Sequence, residues 1–274
     1  MVFERALALA KASGAELYLL HAVPADQPFS FRAVERLERF TEMRRRAEDA
    51  GVRVQTVEQH GNPAEIIELH ANARGVALVV MGGEASRRWS RYRSSVAEKV
   101  IRKTKVPTLV LASDAADGPA SFRNVLVAID LSPASKDVVT RAIELTADEA
   151  VQLTLMHAVT GVEAADAVQS HARWMVAEYR THLLEDARRR AATIASAVPD
   201  GVDARVRVST GSAAGAILEQ AADVNADLVV VGRSRGFKLL GSTAIRVLRK
   251  NDRALLVIPN ESRRTRRAEW QRAA

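Results

Sequence analysis

Two stretches in the second half of the chain have the residue types and spacing that hold a polar or anionic ligand. Asp130 closes the apolar run that begins at Val125. Gly232 closes a second apolar run, Leu228–Val231, and opens a loop containing Gly236, Gly241, Ser242 and Thr243. Glycine lets a backbone come close to phosphate, and the free N–H groups of a helix start favour anions. Ser242 and Thr243 can offer hydroxyls to a ligand or cap the following helix. Arg233, Arg235 and Lys238 add positive charge. Each feature also has a plainer reading. Asp130 can cap the helix after it, and Gly232 and Gly236 can be ordinary turn glycines.

These residues are positioned by a regular alternation of short apolar runs and helical stretches. The sequence predicts strands at Val125–Asp130, Leu153–Val159, Ala204–Ser209, Leu228–Val231 and Ala254–Ile258. It predicts helices from Ser132-Pro133 to about Thr146, then over His171–Ala197, Ala213–Asn225 and Thr243–Lys250. Such alternation gives a parallel sheet covered on both faces, and right-handed crossovers make it doubly wound. Ligands of an open sheet of this kind sit beyond the carboxyl ends of the strands, where Asp130 and Gly232 fall.

The chain repeats itself. Glu4–Val23 matches Thr140–Val159, Gly61–Gly82 matches Gly211–Gly232, and Ser94–Ser113 matches Gly241–Asn260, in that order. The duplication predicts two tandem doubly wound, five-stranded α/β domains: 1–113, then 121–260 after the linker Ser113–Ser121, with a basic tail at 261–274. The first copy is incomplete. Met1 aligns with Asp137, so domain one has no counterpart of Val125–Lys136, the first strand and its turn. Either the chain starts upstream of Met1, or the sheet of domain one is split or repaired by another strand.

Composition removes several classes of chemistry. The 274 residues include no cysteine, which excludes disulfides, thiol nucleophiles and Cys-type metal sites. There is no P-loop, nucleophile elbow or His-Glu-x-x-His pattern. His21 and His157 recur at matching positions and read as packed histidines. No apolar run is long enough to span a membrane and no secretory signal is visible, so the expected compartment is the cytoplasm. The net charge of +7 is concentrated at Gly82–Lys105 and in the tail, among Trp89, Tyr92 and Trp270. A solvated basic face is the preferred reading there; no nucleic-acid-binding motif accompanies the charges.

The order of Val125–Ser135, Leu153–Val159, Leu228–Lys250 and Ala254–Pro259 resembles the universal stress protein family, and the resemblance covers both halves. It implies a tandem member of a five-stranded α/β family whose members commonly dimerise. One subclass binds ATP through a Gly-x2-Gly-x9-Gly-[Ser/Thr] loop with an Asp at the end of the first strand. Carried over by position, the resemblance implies an ATP or other adenine-nucleotide site at Ala128, Asp130, Ala158, Val231, Gly232, Gly236, Gly241, Ser242 and Thr243. The loop departs from the pattern: Arg235 stands where the second Gly belongs, and four residues rather than nine separate Gly236 from Gly241. Domain one has Ala85 and Ser94 in place of loop glycines and no Asp to match Asp130, so it is read as non-binding.

The expected function is that of a non-enzymatic stress-response or regulatory protein with an adenine-nucleotide site in domain two. The alternatives are a nucleotide-independent protein-interaction module and, ranked last, a nucleotide hydrolase. Expected partners are an unidentified regulatory protein and either the other domain or a second copy, paired through the apolar ends Thr108–Leu111 and Ala254–Ile258.

Overall fold

The computed structural model describes residues 2–24, 32–83, 96–112, 121–146, 151–161, 173–233 and 242–259. It divides into two units, Met1–Ala120 and Ser121–Ala274. Unit one contains α1 (Val2–Ser13), β1 (Leu17–Val23), α2 (Arg32–Asp49), β2 (Val54–His60), α3 (Pro63–Ala73), β3 (Val79–Gly82), α4 (Val96–Lys103) and β4 (Thr108–Leu111). Unit two contains β5 (Asn124–Ala128), α5 (Ser135–Thr146), β6 (Gln152–Val159), α6 (Arg173–Ala195), β7 (Asp203–Thr210), α7 (Ala213–Asp223), β8 (Leu228–Arg233), α8 (Ser242–Lys250) and β9 (Ala254–Pro259).

Unit two is the expected doubly wound sheet. Its strands run parallel in the order β9, β8, β5, β6, β7. β5 lies inside and pairs on both flanks: Val125 stands beside Leu153 and Leu228, and Ala128 beside Met156 and Val231. A strand covered on both faces reads as a continuous apolar run. Accordingly Val125–Val127 and Leu228–Val230 are almost wholly buried. The start of β5 is fixed by Asp227, whose carboxylate accepts from the Arg123 and Asn124 amides at 2.7 and 3.2 Å. β7 is an edge strand; Arg205 and Arg207 alternate along it with half-buried Ala204, Val206 and Val208. Charges on an edge discourage pairing with another chain.

The turns that launch the helices are repeated in both units. After β2, Gly61 takes φ +142° and Asn62 caps α3 by accepting from the Ala64 amide. After β7, Gly211 takes φ +122° and Ser212 caps α7 by accepting from the Gly215 amide. A positive φ at these turns favours glycine.

Unit one is the same fold with its centre open. β1 pairs with β2, and β3 with β4, all in parallel. Among the described residues no strand lies between β1 and β3, as the missing counterpart of Val125–Lys136 requires. Among the described residues the strands of unit one thus form two separate pairs, an arrangement that fits either expectation for domain one. One of its core clusters is built from Phe3 and Ala10 of α1, Ala47 of α2 and Val52, with Leu17, Leu19, Met43 and Val54 packed against them; Ile66 of α3, Val100 and Ile101 of α4 and Leu109 of β4 are buried as well.

One pair of glycines reports how closely the helices sit on the sheet. A Cβ on Gly232 would lie 3.0 Å from Cγ2 of Val138 in α5, whereas a Cβ on Gly82 would lie 3.5 Å from Cγ2 of Val2 in α1. The first contact requires the buried Val138 side chain to give by a few tenths of an ångström, and overpacking of that kind costs about 1–3 kcal/mol. Gly232→Ala is therefore expected to destabilise unit two by about that amount in denaturant unfolding. Gly82→Ala is expected to change unit one by about 0.5 kcal/mol or less. Equal effects at the two positions would contradict the difference in packing.

Candidate functional site

The carboxyl ends of β5, β6 and β8 open into a cavity of about 380 Å³. Its lining brings together Ala128 and Asp130 after β5, His157 and Ala158 of β6, Val231 and Gly232 of β8, and Thr243 and Ala244 at the start of α8. Six of the nine residues expected from the sequence thus share one cavity: Ala128, Asp130, Ala158, Val231, Gly232 and Thr243. Gly236, Gly241, the side chain of Ser242, and the charges Arg235 and Lys238 lie outside the described residues. So do the loop positions Ala85 and Ser94 of unit one and the basic tail.

Asp130 does not end the strand; it lies two residues beyond it, in a turn. Its Oδ1 accepts from the Ser132 amide at 3.0 Å and from the Ser135 hydroxyl at 2.8 Å. Asp130 thus braces the turn ahead of α5, which begins at Ser135, rather than accepting from the helix's own first amides. Between Asp130 and Ser132, Leu131 takes φ +58°, a left-handed conformation rare for a side-chain-bearing residue. Arg190 of α6 holds it there by donating to the Leu131 carbonyl at 3.1 Å. Strain of this sort persists only where the surroundings over-determine it, and it gathers at ligand sites.

Burial pushes the Asp130 carboxyl up, but the donors on Ser132 and Ser135 outweigh it and hold the group below the ordinary aspartate value. It is ionised at neutral pH and accepts hydrogen bonds only. Ser132 offers a buried hydroxyl without a hydrogen-bond partner at the same wall. His157 is fixed by a 2.9 Å hydrogen bond between Nδ1 and the Ile129 carbonyl. Since a carbonyl accepts, Nδ1 carries the proton, and the residue is the packed histidine its repetition suggested. Its counterpart His21 stands edge-on to the Phe40 ring at 6.0 Å between centroids.

The floor of the cavity is apolar: Met156, Ala158, Val231 and Ile217. Its polar groups, Asp130, Ser132, Ser135, Thr160 and Thr243, come from the other linings. Apolar and polar groups thus share the lining in comparable measure, and the volume falls in the usual range for small-molecule sites of roughly 300–1,000 Å³. Ser132, Ser135, Thr160 and Ile217 were not singled out from the sequence. Two serines two and five residues after Asp130 were the available signal for the turn; Ile217 reads simply as the apolar face of α7.

Comparison with known proteins follows the same lines as the geometry. The chain matches the universal stress protein family twice, over residues 2–112 and 121–259. The chain belongs to the universal stress protein family. Universal stress protein A homolog 2 of Coxiella burnetii is 37% identical over 132 residues, 47% of this chain and 88% of that relative. A universal stress protein structure from Archaeoglobus fulgidus superposes with a TM-score of 0.67 at 19% identity, covering 95% of this chain and 92% of its own. A protein of unknown function from Pseudomonas aeruginosa PAO1 superposes with a TM-score of 0.64 at 18% identity, covering 94% and 86%. These likenesses make the α/β fold of a tandem universal stress protein the fold of this chain. No helix among the described residues is long and apolar enough to cross a membrane, and no cluster of three metal-ligating side chains occurs among them.

Proposed function

We propose that this tandem universal stress protein is a non-enzymatic regulator whose second unit holds an adenine nucleotide. One observation carries the proposal. Residues from four separated segments, Ala128 and Asp130, Ala158, Val231 and Gly232, and Thr243, line a single cavity at the carboxyl ends of the strands. The adenine ring suits the apolar floor between Ala158 and Val231. The ionised Asp130 accepts from hydroxyl or amino donors, so it faces the ribose or base and not the phosphates. The amides at the start of α8 suit the anionic end. A regulatory partner protein would read the occupied and empty states.

The lining gives little support to hydrolysis. Its ionisable groups among the described residues are Asp130, held by two serines, and His157, held by a carbonyl. Asp130 holds the Ser135 hydroxyl and His157 holds a backbone carbonyl, so no serine–histidine pair is formed between them. A second reading, an interaction module with no nucleotide, is favoured by one finding: both Asp130 and Gly232 already have structural work, in the turn and against Val138.

A thermal scan of the full chain in millimolar ADP or ATP separates these readings. Binding to the folded state alone adds RT ln(1 + [L]/Kd) of stability. The expected result is an upward shift in the melting of unit two by several degrees, without release of product from ATP. Unchanged melting supports the interaction module, and stoichiometric turnover supports the hydrolase.

A further inference from the structure

The Asp130 carboxylate reaches the cavity of unit two from a turn, and a turn aims a side chain only as firmly as its own backbone is held. The backbone here is strained. Leu131, the next residue, takes φ +58°, a conformation in which the Cβ of an L-residue crowds the following carbonyl oxygen. Glycine adopts it readily, and Asn or Asp occasionally do; leucine has nothing in its side chain to favour it. Two contacts from α6 oppose its relaxation.

The first contact is polar. Arg190 donates from Nη2 to the Leu131 carbonyl at 3.1 Å. Its Nη1 lies 3.7 Å from the Asp186 carboxylate, one helical turn earlier. An acid four residues ahead of a base is the favourable order on a helix, and it presents the guanidinium to the turn. The second contact is apolar. The Leu131 side chain packs against the buried pair Val159 of β6 and Ala187 of α6, together with Leu183, Leu184 and Val208. Ala187 and Arg190 are three residues apart and so are neighbours on one face of α6. That face holds both ends of the strained residue, its side chain and its carbonyl.

The flanking bonds complete the turn. Asp130 Oδ1 accepts from the Ser132 amide and the Ser135 hydroxyl, and the Ser135 amide donates to the Ser132 carbonyl at 3.0 Å. Leu131, Ala187 and Arg190 are not among the described residues that line the cavity. The Arg190 side chain is also 55% exposed, and an exposed ion pair such as that with Asp186 adds little to the stability of a whole unit. The work of Arg190 is therefore local.

We propose, resting on the nucleotide reading of this cavity, that Arg190 is a positioning residue for the site. By holding Leu131 in its left-handed conformation it keeps the Asp130 carboxylate aimed at the cavity before a ligand arrives. A site whose turn is in place only part of the time binds with an affinity reduced by that fraction.

Arg190→Ala is expected to weaken ADP binding by the full chain about three- to tenfold, the equivalent of one ordinary hydrogen bond. Arg190→Lys can still donate to the carbonyl and is expected to recover most of that loss. Variants at Leu131 separate positioning from packing. Leu131→Gly and Leu131→Ala both delete the leucine side chain, but only glycine relieves the strain. Arg190→Ala is expected to change affinity less than about twofold in the Leu131→Gly background and to keep its full effect in the Leu131→Ala background. Amide hydrogen exchange in the nucleotide-free chain gives a second reading. Arg190→Ala is expected to speed exchange at Ser135 about threefold or more, with Val127 at the centre of β5 unchanged. Equal loss of affinity in the two Leu131 backgrounds overturns the proposal. So does unaltered exchange at Ser135, and so does faster exchange at Val127 as well, which would mean that the whole unit is loosened. If the wild type takes up no ADP, the nucleotide reading fails on that result, and exchange at Ser135 by itself supports or overturns the hold of Arg190 on the Asp130 turn.

Discussion

Asp130→Ala is expected to weaken nucleotide binding by unit two about ten- to a hundredfold. A hydrogen bond to a charged group contributes roughly 1.5–3 kcal/mol, and each ~1.4 kcal/mol is a decade in affinity. The substitution removes an acceptor from the cavity wall and also frees the Ser132 amide and Ser135 hydroxyl that Oδ1 now holds. Leu131 then has less reason to keep φ +58°, so part of the loss is disorder of the turn. Asp130→Asn separates the two effects. Its amide oxygen can still accept from Ser132, while the negative charge is gone. The expected order of affinity is wild type, then Asn, then Ala, in competition binding with ADP. Equal affinity in all three places the nucleotide elsewhere.

Leu126→Ala is expected to cost unit two about 3 kcal/mol, within the 2–5 kcal/mol usual for a buried leucine. Leu126 has 0% exposure on the central strand of unit two, which pairs on both flanks, so the cavity it leaves has little freedom to collapse. The separate strand pairs of unit one give this account a sharper form. Val230→Ala removes a wholly buried side chain, at about 0.8 kcal/mol per buried methylene plus a term for the void. Val80→Ala makes the same chemical change at the equivalent position, but Val80 borders a cavity between β1 and β3. Its cost is expected to be less than half that of Val230→Ala in denaturant unfolding followed separately in each unit. Equal costs would mean that this cavity is closed in solution.

Much of this architecture was legible because it rests on periodicity and repetition. Apolar runs such as Leu228–Val231 identify buried strands by composition alone, and the repeat aligns α1 of unit one with α5 of unit two. Element ends were less legible. Val125–Asp130 reads as a single strand because Ile129 is apolar and still donates to Met156, yet pairing in the sheet stops at Ala128. Ser132-Pro133 reads as a helix start, but the left-handed Leu131 delays α5 to Ser135. Left-handed backbone at a leucine has no sequence signature; it is imposed from outside, by Asp130 and Arg190.

The site was partly legible for the same reason. Asp130 and Gly232 stand out at the ends of apolar runs, whereas Ser135 and Ile217 join the cavity only through the packing of α5 and α7. Gly232 also shows how one signal can carry two meanings. The glycine expected near phosphate is required first by the close approach of Val138.

Calorimetric titration of the wild-type chain, with both units present, with ADP and ATP tests the central claim most directly. The account predicts saturable heat with one nucleotide bound per chain, contributed by the second unit. It also predicts that Gly82→Ala, in unit one, leaves that heat unchanged. The absence of binding heat at millimolar nucleotide, or two equivalent sites per chain, would contradict it.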